Sequence, residues 1–214
     1  MTHIGNDKKY SLDHVKELDH SPLKDKSILF LGSSVTLGAC SENESFADFI
    51  AKRNKCKYLK EAVNGTTLVT SSPNSYIKRL LKIDKSLHFD LFICQLSTND
   101  ATQNKPLGDI SNKDTTTICG AINYIIQYVK ETFHCPIVFY TNPYYENINY
   151  LNMVKVLNNI KEINVINLFE DQEFNSISKE ERNLYMADDI HPTKAGYLLW
   201  WTPYIEKYLN KLAK

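Results

Sequence analysis

The stretch FLGSSVTLG, residues 30–38, decides how the rest of this chain is interpreted. It begins inside the apolar run SILFL, residues 27–31, which is short and uninterrupted, as in a strand buried on both faces of a parallel sheet. A glycine ends this strand and two serines follow it. A polar loop at a strand end can bind a phosphate, turn the chain or present a nucleophile, and each role requires different partners elsewhere in the sequence.

The pattern of a short apolar run, a polar loop and an amphipathic helix repeats along the chain. Further strands are predicted at 57–63, 89–96, 136–141 and 164–169, and helices at 75–84, 114–132, 146–162 and 192–214. Another helix is predicted to begin near residue 42, where Ser41 and Glu44 have the spacing of a capping box. Five buried strands alternating with helices predict a three-layer α/β/α sandwich around a five-stranded parallel, flavodoxin-like sheet. The loops at the carboxyl ends of its strands then share one rim, where a ligand would bind.

The composition restricts the class of protein. A chain of 214 residues fits a single domain, here 27–214, after a polar segment at 1–26 that forms either one short docked helix or a frayed tail. Lys plus Arg and Asp plus Glu number 25 each, so the chain lacks the basic field of a protein that binds nucleic acid or an anionic membrane. We therefore expect a small-molecule partner. The sequence does not decide whether the chain forms a homo-oligomer.

The cysteines and the first residues indicate a compartment. The five cysteines form no CxxC pair and cannot all be bridged, which favours a reducing environment. The first twenty residues contain no apolar stretch of the kind that a secretory signal requires, and no run approaches the roughly 18 apolar residues of a membrane span. We expect a cytoplasmic protein.

Residues 32–38 do not match the known phosphate-binding motifs. A P-loop requires a lysine after its last glycine, whereas Gly38 is followed by Ala39 and Cys40. The GxGxxG fingerprint of dinucleotide-binding proteins is also missing, so no cofactor is predicted. A generic anion-binding nest at the strand end stays open as an alternative.

A nucleophile needs a base, and MADDIHPTKAGY, residues 186–197, offers one. His191 precedes Pro192, which favours an extended conformation, so the imidazole can project from a loop. Asp188 lies three residues earlier and can accept the Nδ1 proton, which leaves Nε2 to face a hydroxyl; Asp189 competes for this role. The other five histidines form no HxxxH pair, so no metal is predicted.

Two further loops offer donors for an oxyanion. Gly65 follows the second strand, and a glycine there exposes its N–H without a side chain in the way. Asn99 follows the third strand within STND, residues 97–100, and its amide can donate to the same oxygen. Taken singly, each of these loops also fits an ordinary turn.

Together, GSSVT, NG, STND and DDIHPTKAGY resemble, in this order, the four signature blocks of the SGNH hydrolases, also called GDSL-type esterases. The resemblance covers residues 27–200 and implies the SGNH hydrolase fold and cleavage of an ester. It implies that Ser34 is the nucleophile, His191 the base and Asp188 the group that orients the base.

The resemblance also implies an oxyanion hole, formed by the N–H groups of Ser34 and Gly65 and by the side chain of Asn99. Two positions depart from the family pattern. Ser33 stands where the family often has aspartate, and Ser97 stands where it often has glycine. Neither position is expected to carry the proton transfer.

The substrate has to be judged from weaker signals. In FYTNPYYENINY, residues 139–150, Tyr144 and Tyr145 follow the fourth strand and can line an acyl pocket or stack on a sugar. Because the sequence contains no long apolar lid, we expect short acyl chains, with O-acetyl groups on carbohydrate as one example. Two alternatives stay open: a non-catalytic flavodoxin-like module that binds an anion or sugar at the same rim, and a thiol enzyme that uses Cys40.

Overall fold

A computed structural model describes residues 3–212 and contains one five-stranded sheet in the order β2-β1-β3-β4-β5, with every neighbouring pair parallel. The predicted flavodoxin-like sheet with helices on both faces is confirmed. The strands are β1 (Ser27–Gly32), β2 (Lys57–Ala62), β3 (Leu91–Gln95), β4 (Ile137–Tyr140) and β5 (Asn164–Ile166). The α-helices are α1 (Ser34–Leu37), α2 (Phe46–Asn54), α3 (Tyr76–Leu80), α4 (Thr98–Thr102), α5 (Ile118–Thr132), α6 (Ile148–Asn158), α7 (Gln172–Asn175), α8 (Lys179–Tyr185) and α9 (Thr202–Leu212).

The sheet separates two apolar clusters because successive side chains of a strand point to opposite faces. Leu29 and Leu31 of β1 pack with residues of α3, α5 and α6, whereas Ile28 and Phe30 pack with residues of α2 and α9. All four side chains are fully buried. This two-sided burial is the physical reason why SILFL is apolar at every position rather than at alternate positions.

The helix predicted to begin near residue 42 begins at Phe46 instead. Glu42 and Asn43 have φ angles of 56° and 64°, in the left-handed region, so they cannot belong to a right-handed helix. The capping box is formed four residues later, where the Ser45 and Asp48 side chains accept each other's backbone N–H groups. The sequence contains two overlapping capping patterns, and the second one starts the helix.

The N-terminal segment contains three short 3₁₀ turns rather than one helix, at Ile4–Asn6, Lys8–Tyr10 and Leu12–His14. Extended residues separate these turns, so a continuous helix cannot form. The segment is docked on the domain, since the Leu12 N–H donates to the Glu44 carboxylate at 2.9 Å and the Leu18 N–H donates to a carbonyl of α2 at 2.7 Å. Residues 1 and 2 lie outside the described part of the chain.

The C-terminal helical region begins after Pro192, not at it. Pro192 forms an antiparallel bridge with Met186, and the next N–H, that of Thr193, donates to the Tyr185 carbonyl. A π-helical segment, Gly196–Trp201, then leads into α9 just before Pro203, which has no N–H to donate to the preceding turn. This arrangement keeps His191 in an extended loop. Within residues 3–212, no helix has the length and apolar character needed to cross a membrane.

Candidate active site

Ser34 lies at the carboxyl end of β1, where it is the first residue of the four-residue helix α1. Gly32 makes this sharp turn feasible, because a Cβ atom at that position would lie 1.7 Å from the hydroxyl oxygen of Thr36. Thr36 therefore folds back against the strand end, and only a glycine leaves room for it. The result is a serine that is almost fully buried at the predicted rim of the sheet.

Gln95, the last residue of β3, holds the turn in place from the neighbouring strand. Its side-chain oxygen accepts hydrogen bonds from the Ser33 N–H at 2.9 Å, the Ser33 hydroxyl at 3.2 Å and the Thr36 hydroxyl at 3.0 Å. The residue is fully buried, so these bonds are shielded from water. The sequence analysis missed this residue. The signal was a lone glutamine inside the apolar run FDLFICQL, residues 89–96.

Ser34, His191 and Asp188 form one chain of hydrogen bonds. Nε2 of His191 lies 2.8 Å from the Ser34 hydroxyl oxygen, and Nδ1 lies 2.8 Å and 3.0 Å from the two Asp188 carboxylate oxygens. A carboxylate can only accept, so Nδ1 carries the proton and Nε2 is free to accept the proton of the serine hydroxyl. The structure thus brings Ser34 into contact with a His191–Asp188 pair, although His191 lies 157 residues further along the chain.

The loop that holds His191 is itself fixed by Asp188. One oxygen of this carboxylate accepts the N–H groups of Ile190 and His191, each at 2.7 Å, and the Asn142 side chain donates to the Ile190 carbonyl at 3.1 Å. Partial burial favours a higher pKa for Asp188, but the hydrogen bonds from the His191 ring and from the two backbone N–H groups outweigh it and hold the pKa below its ordinary value. Asp188 is therefore a carboxylate at neutral pH.

Asp189, the competing carboxylate, is directed elsewhere. It forms an ion pair with Arg182 at 2.9 Å, and its side chain is 85% exposed. The structure therefore resolves the choice between the two adjacent aspartates in favour of Asp188 as the partner of His191.

The predicted oxyanion donors lie on two loops that touch each other. Asn99, in the first turn of α4, donates from its side-chain amide to the Thr66 carbonyl at 3.0 Å, and this bond links it to the loop of Gly65. An amide NH₂ group has two hydrogens, so one remains for a ligand. Gly65 has a φ angle of 74°, and a Cβ there would meet no described atom within 4 Å. The left-handed backbone conformation favours glycine at this position, and no described atom crowds the space beside its Cα.

Asp100 holds the same loop from beneath. This buried carboxylate accepts the N–H groups of Leu68 at 2.7 Å and Val69 at 3.2 Å. Burial disfavours its charged form and raises the pKa of Asp100 to about 6, although the hydrogen bonds oppose this shift. The carboxyl is therefore a titrating group whose charge couples pH to the stability of the fold.

Replacing Asp100 with asparagine is expected to remove a pH dependence of stability. Because its pKa of about 6 lies above the ordinary 3.8, the folded protein binds this proton more tightly than the unfolded chain does, and the parent gains stability as pH falls from about 7 to about 4. We expect the parent's free energy of unfolding, relative to the variant's, to rise by roughly 2 kcal/mol over this window. Urea unfolding of both proteins at several pH values measures it. A difference that stays constant with pH would contradict the shift.

Arg79 joins the ends of two strands to the loop of Gly65. Its buried guanidinium donates to the Gly32 carbonyl at 2.7 Å, to the Glu61 carbonyl at 2.6 Å and to the Thr66 hydroxyl at 3.2 Å. The Arg79 guanidinium therefore links the strand end that precedes Ser34 to the loop of Gly65. The sequence analysis placed Arg79 on a helix at 75–84 and gave it no role, because nothing local distinguishes it from an exposed arginine.

Tyr144 and Tyr145 lie outside the triad. They line an open cleft of about 370 Å³ together with Glu146, Arg182 and Asp189. The Tyr144 side chain is largely exposed, whereas the Tyr145 hydroxyl is buried without a hydrogen-bond partner among the described residues. The cleft borders the loop of His191 through Asp189, and neither Ser34 nor His191 is among its lining residues.

Comparisons with known proteins identify relatives of this architecture. The family model for GDSL-like lipase/acylhydrolase matches residues 28–201. A solved structure from Lactobacillus plantarum is 17% identical with a TM-score of 0.74, covering 88% of this chain and 98% of that one. A protein from Bacteroides ovatus, described as a GDSL-like lipase, is 19% identical with a TM-score of 0.67 and coverages of 87% and 98%.

A family two carbohydrate esterase from Clostridium thermocellum, solved in complex with cellohexaose, is also similar. It is 16% identical with a TM-score of 0.57, covering 90% of this chain and 67% of that one. A search of curated proteins found no match. At these identities the solved structures share the fold with this chain.

Proposed function

The chain belongs to the GDSL-like lipase/acylhydrolase family and is an ester-bond hydrolase, and from this premise we propose that it is a serine esterase acting through an acyl-enzyme. One observation carries the proposal: the hydroxyl of Ser34 lies 2.8 Å from Nε2 of His191, whose Nδ1 lies 2.8 Å from the Asp188 carboxylate. A nucleophile, a base and a group that orients the base are thereby in hydrogen-bond contact before any substrate binds.

The proposed reaction has two steps. Ser34 attacks the acyl carbon while His191 takes its proton, and the imidazolium that results is stabilised by Asp188. The N–H groups of Ser34 and Gly65 and the amide of Asn99 stabilise the tetrahedral oxyanion. His191 then gives its proton to the departing alcohol, and the acyl group remains on the serine. Water then attacks this ester while His191 takes one of its protons. His191 returns that proton to the Ser34 oxygen as the carboxylic acid leaves.

The proposed substrates are small carboxylic esters with a short acyl group, including O-acetyl groups on carbohydrate. The cleft that borders the loop of His191 supports this, because it combines the exposed ring of Tyr144 with the charged side chains of Glu146, Arg182 and Asp189. Such a surface suits the face and the hydroxyl groups of a sugar better than a long alkyl chain. The shared fold with a carbohydrate esterase agrees with it.

The proposed location is the cytoplasm. All five cysteines are free in the structure, at positions 40, 56, 94, 119 and 135. Free thiols in this number are typical of a reducing compartment.

The acyl preference tests the substrate class. We expect kcat/KM on the nitrophenyl esters of acetate, butyrate and octanoate to be highest for acetate and lower for octanoate by roughly tenfold or more, since the charged side chains of the cleft disfavour contact with a long alkyl chain. Initial rates at low substrate concentration give this ratio directly. The Ser34→Ala variant measured beside the parent corrects for non-enzymatic hydrolysis. A preference for octanoate would refute the short-acyl proposal and leave the esterase assignment intact.

A further inference from the structure

A third side chain with metal-ligand chemistry lies next to the His191–Asp188 pair. The Cys40 sulfur, an Asp188 carboxylate oxygen and a ring nitrogen of His191 all lie within 4.8 Å of one another. Cys40 is half-buried and follows α1, so it comes from the opposite end of the chain to its two neighbours. No local sequence motif marks this group, because Cys40 lies far along the chain from Asp188 and His191.

The position of Cys40 is fixed by the docked N-terminal segment. The Asn6 side chain donates to the Cys40 carbonyl at 2.8 Å and accepts the Lys194 N–H at 2.9 Å. One side chain therefore joins the backbone beside the cysteine to the backbone that follows His191. The three candidate ligands are held on a common framework, which lowers the entropic cost of bringing them onto one ion.

Two features of its surroundings make the Cys40 thiol a poor nucleophile. Burial raises the pKa of Cys40, and the nearby Asp188 carboxylate raises it further. A neutral thiol is a poor nucleophile, which disfavours the thiol-enzyme alternative. A divalent cation bound at this place would stabilise the negatively charged thiolate and so favour loss of the thiol proton.

We propose that Cys40, Asp188 and His191 form an inhibitory site for a soft divalent cation such as Zn²⁺. Sulfur, nitrogen and oxygen ligands in this combination suit zinc, with water as the fourth ligand. Binding forms bonds from the ion to all three side chains, and the thiol proton leaves to solvent. Tetrahedral zinc ligands lie roughly 3 to 4 Å apart, and the three atoms, all within 4.8 Å of one another, need shifts of only about 1 Å to reach this spacing.

Metal binding at either ring nitrogen stops the esterase. If the ion takes Nδ1, the imidazole proton moves to Nε2, which then cannot accept the Ser34 proton. If the ion takes Nε2, the lone pair that serves as the base is occupied. Mg²⁺ and Ca²⁺ prefer oxygen ligands and bind such a site poorly. The site therefore makes activity sensitive to soft metals alone.

The inhibition is tested with the parent and two cysteine variants. Zn²⁺ added to the acetyl-ester assay should abolish the parent's activity, and a chelator should restore it, whereas Mg²⁺ should have no effect. Cys40→Ala should raise the zinc concentration for half-inhibition by about tenfold or more, because one of three protein ligands is lost. Cys56→Ala removes another half-buried thiol, and zinc should inhibit this variant at the same concentration as it inhibits the parent. Equal zinc inhibition of Cys40→Ala and the parent would overturn the proposal.

A second measurement does not depend on activity, although the inhibitory consequence rests on the proposed function. Cd²⁺ bound to a thiolate gives a charge-transfer absorption in the ultraviolet, which we expect for the parent and for Ser34→Ala but not for Cys40→Ala. If this pattern appears and the protein hydrolyses no ester, the metal site stands and the proposed function fails. If the parent gives no absorption, or Cys40→Ala gives the same one, the metal site is refuted whatever the activity.

Discussion

Replacing Ser34 with alanine should lower kcat for ester hydrolysis by at least about 10⁴-fold, since loss of the nucleophile in a serine hydrolase removes nearly all of the catalysis that a triad provides. The fold should be unaffected. Among the described residues, the only hydrogen bond of this hydroxyl is with His191, and alanine is a good residue for the first turn of a helix. Steady-state rates on an acetyl ester and thermal unfolding of both proteins measure the two effects.

Ser33→Ala is the matched control for this experiment. Its hydroxyl is the neighbouring one in the same turn, but it bonds to Gln95 rather than to His191, so its loss should change kcat by less than about tenfold. A serine-directed phosphonate should label the parent once and leave Ser34→Ala unlabelled. A parent that takes no label and hydrolyses no ester would favour the non-catalytic binding module, and a Ser34→Ala variant with the parent's rate would place the nucleophile elsewhere.

The architecture was predictable because the burial of a strand determines which residue types occur in it. The strands β1 and β3 are covered on both faces, so their residues form uninterrupted apolar runs that can be read without knowing the partners. Once five such runs alternate with helices, parallel pairing follows, and the carboxyl ends of the strands meet at one rim. The positions of Ser34, Gly65 and Asn99 followed from that rule, because each stands directly after a strand.

The supporting contacts of the site were not predictable in the same way. Gln95 and Arg79 act through hydrogen bonds to backbone groups on other strands, and the sequence does not show which carbonyl or N–H will be near a given side chain. The predicted start of α2 was wrong for a different reason. Ser41 and Ser45 both begin acceptable capping patterns. The left-handed backbone between them decides the outcome, and a distant residue contacts it, since the Lys60 ammonium donates to the Asn43 carbonyl at 2.8 Å.

Asp188→Asn should lower kcat on the order of 100- to 10,000-fold, and the hydrogen bonds explain why so small a change has so large an effect. The carboxylate oxygen that accepts the Ile190 and His191 N–H groups can be replaced only by the amide oxygen of asparagine. The amide NH₂ group must then occupy the other oxygen's place, which lies 2.8 Å from Nδ1 of His191. The loop keeps its shape, but Nδ1 now faces a donor.

An imidazole that accepts at Nδ1 carries its proton on Nε2, so it can no longer take the proton of Ser34. The variant should therefore bind substrate with nearly the parent's KM and lose kcat, and it should react slowly with a serine-directed phosphonate. Asp189→Asn makes the same chemical change one residue away, where the carboxylate pairs with Arg182 in the proposed sugar cleft. On nitrophenyl acetate, which has no sugar to fill that cleft, this variant should retain kcat within about threefold. Equal losses in the two variants would mean that the loop, rather than the proton on Nδ1, is what Asp188 controls.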